Sequence, residues 1–342
     1  MKKNILITGG AGFIGTNLAE YLLKEGNYVV VVDNLSRLGS DKNLIYLKSK
    51  TNANKKLTFI KGDIRNFQQV KEIVRKVNVI FHLAGQVAVT KSILNPREDF
   101  ENNVVGTLNI LEAARELAEK PIIVFSSTNK VYGEMNNLKI KEGKNRYDFL
   151  NSPKGVNENC LTDCFSPYGC SKGSAEQYVR DYYRIYGIPA VVFRQSCIYG
   201  PRQMGVEDQG WVAHFIISGI FDKKVTIYGN GKQVRDILYI DDLIKLYLKA
   251  VLNINKTAGQ IYNVGGGVEN SLSLIELIDL LEKKYNIKLN VKFDEWRIAD
   301  QKIFISDNSK IQRDLKWKPQ INIDLGIQYL INWIKENKNI FI

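Results

Sequence analysis

Tyr168 and Lys172 stand one helical turn apart in the stretch SPYGCSKG, so on a helix both side chains leave the same face. A phenol titrates near ~10 and is a poor base at neutral pH. A neighbouring ammonium and a positive nicotinamide ring would both favour the phenolate. Tyr168 could then take a proton from a substrate hydroxyl while hydride leaves the same carbon. Thr128, in SSTNKVYG, stands where it could hydrogen-bond the same oxygen. The chemistry implied is redox chemistry on a hydroxyl group. A tyrosine and a lysine at this spacing also occur by chance on many helices, so the pair gains meaning only beside a dinucleotide site.

Such a site is written near the N-terminus. In TGGAGFIG, Gly9, Gly12 and Gly15 follow an apolar run at 4–8 and open a helical pattern. One glycine makes the tight turn, one lets the backbone approach a pyrophosphate, and one lets helix and strand pack closely. The helix N-terminus then offers free N–H groups and a positive dipole end. Asp33 closes the second apolar run, where a carboxylate accepts from a ribose 2′-hydroxyl and repels a 2′-phosphate, favouring NAD over NADP. Arg37 follows closely and could meet a 2′-phosphate, which keeps NADP open. Asp63 and Ile64 follow the third run, where an adenine edge would lie. Leu83 and Ala84 end the fourth with a small residue at the sheet's carboxyl edge, where open α/β sheets bind ligands. His82, at the same edge, reads as a packed, hydrogen-bonded histidine rather than a catalyst.

The elements that must carry these residues alternate. Strands are expected at 4–8, 28–33, 57–61, 79–83, 122–126 and 190–194, with helices at 66–75, 99–119 and 168–186. That alternation predicts an α/β fold, a Rossmann-type doubly wound parallel sheet. Beyond residue 200, shorter strands at 225–228, 260–264 and 289–293 mix with amphipathic helices at 241–252, 273–285 and 324–336, as in a smaller C-terminal α/β substrate-binding lobe. The expected division is 1–200 for the dinucleotide domain, with strands from 225–264 able to rejoin it, and 201–342 mainly for the lobe. The polar segment 134–165 has little periodicity and is expected to be a long loop covering the active site.

The totals exclude several classes. The 342 residues can bury a full core, and 44% hydrophobic with 25% charged residues describe an ordinary globular chain. The formal charge of +12 comes from lysines scattered along the chain. Nucleic-acid binding needs them clustered on one element, so no nucleic-acid partner is expected. The apolar runs are too short to span a bilayer, so no membrane is expected either. Cys160, Cys164, Cys170 and Cys197 match no common zinc spacing, and no metal is expected. Reduced thiols agree with a cytoplasmic address.

TGGAGFIG, HLAG, SSTNKVYG and SPYGCSKG, in this order and at these intervals, resemble the extended short-chain dehydrogenase/reductase family that acts on nucleotide sugars. The resemblance runs from residue 3 to 335 and takes in YGPRQ at 199–203 and GNGKQVRDILYIDD at 229–242. It implies that Thr128, Tyr168 and Lys172 are the catalytic trio and that Lys172 also holds the nicotinamide ribose. It implies NAD contacts from Phe13, Ile14, Asn34, Ser36, Gln86, Asn103 and Ser126 beside those above. It implies substrate contacts from Gln86, Asn129, Gln195 and Ser196, with Arg235 and Arg297 clamping the phosphates. It also implies a nucleotide-diphosphate sugar as substrate and a homo-oligomer, dimer or tetramer.

Two departures narrow the reaction. Sugar 4,6-dehydratases of this family need a carboxylate just after the Thr/Ser, and Asn129 and Lys130 stand there instead. Dehydration is disfavoured. RQSCIYG places Cys197 where 4-epimerases of the galactose type carry an asparagine. Together with HLAGQVAVTKSILNPREDFE and EDQGWV, that stretch is similar to the family's 2-epimerases of CDP-sugars. Cytosine, carbon 2 and a part in lipopolysaccharide O-antigen synthesis are implied by this likeness alone. A UDP-hexose 4-epimerase and a non-catalytic NAD sensor on the same fold remain alternatives.

Overall fold

The computed structural model describes residues 3–50 and 53–341. The chain divides into two compact units, the first formed by residues 1–128, 167–194 and 244–262, the second by 129–166, 195–243 and 263–342. The division is therefore not one cut near residue 200: the chain passes between the units several times, and 129–166 belongs to the second.

The first unit is built on seven strands: β1 (Asn4–Thr8), β2 (Tyr28–Asp33), β3 (Leu57–Lys61), β4 (Val79–His82), β5 (Ile122–Thr128), β6 (Ala190–Gln195) and β7 (Ile261–Val264). Their order across the sheet is β7-β6-β5-β4-β1-β2-β3. The pairings of β1 with β2 and β4, of β2 with β3, and of β4 with β5 are parallel. Runs such as YVVVVD form β2 because a strand covered on both faces can be β-branched throughout. Order reverses between β1 and β4, which makes a ligand crevice at their carboxyl ends. Leu6, Ile80, Ile110, Phe125, Ala175, Val179 and Val192 are among the buried side chains that join this sheet to its helices.

The helical region expected at 99–119 is three pieces: a helix Pro96–Phe100, a π-turn Glu101–Val105 and a helix Gly106–Arg115. It begins earlier because Asn95 caps it, accepting from the Glu98 N–H at 3.2 Å with Pro96 in the first position. The π-turn holds Asn103, whose carbonyl also accepts from the Thr107 hydroxyl at 2.6 Å. Such turns recur at functional sites.

In the second unit Lys224–Tyr228 pairs in parallel with Asn290–Asp294. The strand Val234–Tyr239 pairs with Ser271–Ser273, Ile303–Phe304 and Cys197–Tyr199. The segment expected as an irregular loop contains a hairpin of Ile140–Glu142 and Tyr147–Phe149. Its Val156 packs with Val131, Tyr132, Met135 and Phe304, and the Val156 carbonyl accepts from Asn263 Nδ2 at 2.8 Å. These contacts anchor it within the second unit. No helix among the described residues is long and apolar enough to cross a membrane.

Candidate functional site

The turn after β1 sets the first part of the site. Gly9 takes φ +69°, a conformation that favours glycine. A Cβ on Gly15 would stand 2.4 Å from the Gly9 carbonyl oxygen, so helix and turn can meet this closely only without one. No side chain caps the helix Phe13–Lys24 that follows, leaving the leading N–H groups of Phe13 and Ile14 for a ligand. A Cβ on Gly12 would meet only the Gly9 oxygen, at 3.1 Å, so the turn is open on its outer side. This cradle fits a pyrophosphate.

Asp33, at the end of β2, accepts from the Ala11 N–H at 3.0 Å and the Leu35 N–H at 2.8 Å. Burial pushes its carboxyl up, against the pull of those backbone donors and of Gly12. Asn34 turns the chain locally, accepting from the Ser36 N–H at 3.0 Å. Asp63 is paired with Arg65 at 2.6 Å, and Ile64 is buried against Gly106. The Leu83 N–H bonds the Thr8 carbonyl at 3.2 Å, and the Ala84 N–H bonds the Thr8 hydroxyl at 3.2 Å. Gly9, Gly12, Asp33, Leu83 and Ala84 thus gather around the β1–β4 crevice.

His82 joins this lattice. Thr107 gives its only hydroxyl proton to Asn103, so it accepts from His82 Nε2–H at 3.0 Å; His82 Nδ1 then accepts from Thr8 at 2.7 Å. The ring is neutral and structural.

The trio is carried by β5 and the helix Pro167–Tyr186. Pro167 opens that helix, the Tyr168 N–H is capped by Ser92 Oγ at 3.1 Å, and Ala175, Val179 and Tyr182 bury its inner face. Thr128 ends β5 and hydrogen-bonds the Tyr168 phenol. Burial pushes that phenol up to about 12 and outweighs the Thr128 bond; Asp99 adds to the rise and Arg37 opposes it. Among the chain's own charges, Arg37 favours the phenolate. Arg37 is half-buried. Lys172 lies over the Phe125 ring, and burial lowers it to about 8 against Glu176 and Asp99. Ser126 is half-buried one strand repeat before Thr128.

Gln86 and Asn103 turn inward. Asn103 accepts from the Gln86 N–H at 2.9 Å and donates to the Gln86 carbonyl at 3.1 Å. The Gln86 amide donates to the Ala88 carbonyl at 2.8 Å and to Asp99 at 2.9 Å. Asp99, Ser171 and Glu176 were not singled out in the sequence; Asp99 and Asn103, like Lys172 and Glu176, share a helix-face spacing that offered a signal.

In the second unit Asp300 accepts from Arg235 at 2.8 Å and pairs with Lys130 at 3.5 Å. Burial pushes its carboxyl up, but Arg235, Lys130 and Arg297 together outweigh this and hold it below the usual range. Asn129 donates to Gln301 at 3.0 Å. Ser196 donates to the Asp236 carbonyl at 3.0 Å, beside the buried Gln195. Arg297 stacks on Tyr228 with its guanidinium carbon 3.9 Å from the ring centre and pairs with Asp208 at 3.3 Å. Cys197 accepts from the Trp211 indole N–H at 3.3 Å, and burial raises its thiol. Arg235 and Lys130 thus share the Asp300 carboxylate, and Arg297 is held between Glu207 and Asp208.

A family model described as GDP-mannose 4,6 dehydratase matches residues 6–330. The chain is 47% identical over 337 residues to CDP-paratose 2-epimerase of Salmonella typhi, covering 96% of this chain and 98% of that protein. Among solved structures it is similar to UDP-glucuronic acid 4-epimerase of Bacillus cereus, in complex with UDP-glucuronic acid and NAD (TM-score 0.83, 29% identity, 97% of this chain and 99% of that one). It is also similar to the dTDP-glucose 4,6-dehydratase DesIV of Streptomyces venezuelae with NAD bound (TM-score 0.81, 28% identity, 98% of each chain). A glycine cradle, a buried tyrosine–lysine helix and a match along nearly the whole length leave one assignment: the chain belongs to the extended short-chain dehydrogenase/reductase family of nucleotide-sugar epimerases and dehydratases.

Proposed function

We propose that the chain is an NAD-dependent 2-epimerase interconverting CDP-paratose and CDP-tyvelose. One observation carries this reading: the 47% identity to a CDP-paratose 2-epimerase spans 96% of the chain. Thr128, Tyr168 and Lys172 are all present within it. Gly9, Gly12, Phe13 and Ile14 would hold the pyrophosphate of NAD, Asp33 with Asn34, Ser36 and Arg37 the adenosine ribose, and Asp63 and Ile64 the adenine. Leu83, Ala84, Gln86, Asn103 and Ser126 would line the rest of the dinucleotide site, and Lys172 would hold the nicotinamide ribose. Bound NAD supplies a hydride acceptor that returns the hydride, and a positive charge. Tyr168, hydrogen-bonded to Thr128, takes the proton of the carbon-2 hydroxyl and gives it back after the 2-keto sugar has presented its other face. Arg235 and Arg297 take the diphosphate, and Gln86, Asn129, Gln195 and Ser196 make further substrate contacts.

The same reading includes a homo-oligomer, dimer or tetramer. Leu94, Phe100, Tyr178 and Ile185 are exposed apolar side chains, at 85%, 52%, 45% and 64%, on or beside the helices next to the trio. It also includes a cytoplasmic address and a part in O-antigen synthesis; all four cysteines are free, as a reducing compartment keeps them.

The test is to mix the purified protein separately with CDP-paratose and UDP-glucose and read ring-proton couplings by NMR. Inversion at carbon 2 of the CDP-sugar is expected; inversion at carbon 4 alone would make the protein a 4-epimerase. Tyr168→Phe should keep NAD bound and lose turnover.

A further inference from the structure

Behind the trio lies an acidic side chain for which the proposed reaction has no use. Asp99 has no exposed surface. Its carboxylate accepts from Ser171 Oγ at 2.5 Å, Gln86 Nε2 at 2.9 Å and Asn103 Nδ2 at 3.2 Å. All three donors are neutral. The other buried carboxylate near Lys172, Glu176, is matched differently: Arg194 Nε donates to it at 3.0 Å and Ser127 Oγ at 2.7 Å.

We propose that Asp99 is a positioning residue for the Tyr168–Lys172 pair, fixing through Ser171 the helical turn that carries both and setting a buried negative charge within reach of Lys172. The geometry has two supports. Ser171 lies between the pair in sequence, its one hydroxyl proton goes to Asp99 and its Oγ stands 3.2 Å from the Tyr168 carbonyl oxygen, so the acid's grip on it is a grip on that turn. Asn103, one turn beyond Asp99 in the π-turn, donates to the same Ser171 Oγ at 3.0 Å, and its amide and carbonyl also clasp the Gln86 backbone. Four residues apart, Asp99 and Asn103 thus bring two side chains of one helix run onto one hydroxyl.

The electrostatics agree. Lys172 is faced by Glu176 from its own helix, by the neutral His82 on β4, by the Phe125 ring on β5, and by Asp99. Tyr168 is faced by Thr128, Arg37 and Asp99. On the outer side of the Asp99 helix, Arg97 and Glu101 pair with each other at 3.0 Å. Asp99 therefore raises both titrations, holding Lys172 as an ammonium and Tyr168 as a phenol.

Asp99→Asn tests this with little change of shape. Its carbonyl can accept from Gln86 and Asn103 while its amide donates to Ser171, so the network closes. In NAD-loaded protein carrying 15N at the lysine side chains, the Lys172 resonance is identified by its loss in Lys172→Met. In Asp99→Asn its midpoint should fall by about one pH unit. Both limbs of the pH–turnover profile should move to lower pH with it. An unmoved midpoint, or turnover lost equally at every pH, overturns the proposal. Ser171→Ala removes the grip but keeps the charge: kcat should fall about tenfold with the Lys172 midpoint in place. Unchanged kcat there overturns the positioning role. The activity readouts rest on the proposed epimerase reading; if no nucleotide sugar turns over, that reading fails, while the lysine titration still decides the role of Asp99.

Discussion

The Lys172 ammonium sits 4.2 Å from the centre of the Phe125 ring, on the strand that ends three residues later in Thr128. A buried cation has lost its water, and the negative face of the ring replaces part of that solvation. Phe125→Leu removes the ring and leaves a small void. It should cost about 1–2 kcal/mol of stability by urea unfolding. It should also drop Lys172 further below its ordinary value and move the alkaline limb of turnover to lower pH. A limb that stays in place while stability falls would reduce Phe125 to a packing role.

His82 predicts how stability responds to acid. Burial, with a smaller push from Lys172, lowers it to about 3, while an unfolded histidine titrates near ~6.5. Between those values the unfolded chain binds a proton that the folded chain refuses. Its contribution is therefore fully present above the unfolded value and shrinks as pH falls, by roughly 1.4 kcal/mol per unit. His82→Gln can still bond one threonine but cannot charge. Urea midpoints between pH 7 and 4.5 should fall less steeply in that variant than in the parent protein. Equal slopes would place the acid sensitivity elsewhere.

Asp33 ties the glycine turn to β2 through the Ala11 N–H. Asp33→Ala removes both an acceptor for a ribose hydroxyl and a negative charge. NAD affinity of the cofactor-free protein should fall about tenfold or more, and the preference over NADP should narrow. Isothermal titration with each dinucleotide reads both. An unchanged ratio would mean that Arg37 or the turn itself sets the choice.

What was readable in the sequence follows from how far each signal reaches along the chain. A strand buried on both faces writes itself as a continuous β-branched run, and β1 and β2 are found at the expected residues. The helix Pro167–Tyr186 shows a local period and a proline at its start. The strand Val234–Tyr239 hid because its sequence VRDILY carries two charges, although all six residues are buried. Those charges are satisfied from afar: Asp236 accepts from the Gly267 and Ser306 N–H groups at 3.0 Å, and Arg235 binds Asp300. Asp99 shares a helix-face spacing with Asn103, but its closest partner, Ser171, lies 72 residues away and left no local mark. The π-turn left no mark because it changes the helix by one hydrogen-bond register and no residue type.

Glu176 and Arg194 form the most buried ion pair among the described residues, at 1% and 5% side-chain exposure. It links the helix Pro167–Tyr186 to β6, with Ser127 of β5 bonding the same carboxylate. Breaking such a pair from one side strands a charge that has already lost its water. Arg194→Met should therefore cost about 3–5 kcal/mol. The double variant Arg194→Met with Glu176→Leu removes both charges and should recover most of that loss. Glu176 also favours the charged form of Lys172, so freeing it from Arg194 should raise the Lys172 midpoint, and the double variant should lower it below the parent value. Chemical denaturation gives the first comparison and lysine titration the second. A double variant as unstable as Arg194→Met would show that the network acts through shape and the Ser127 bond, with its charges contributing little.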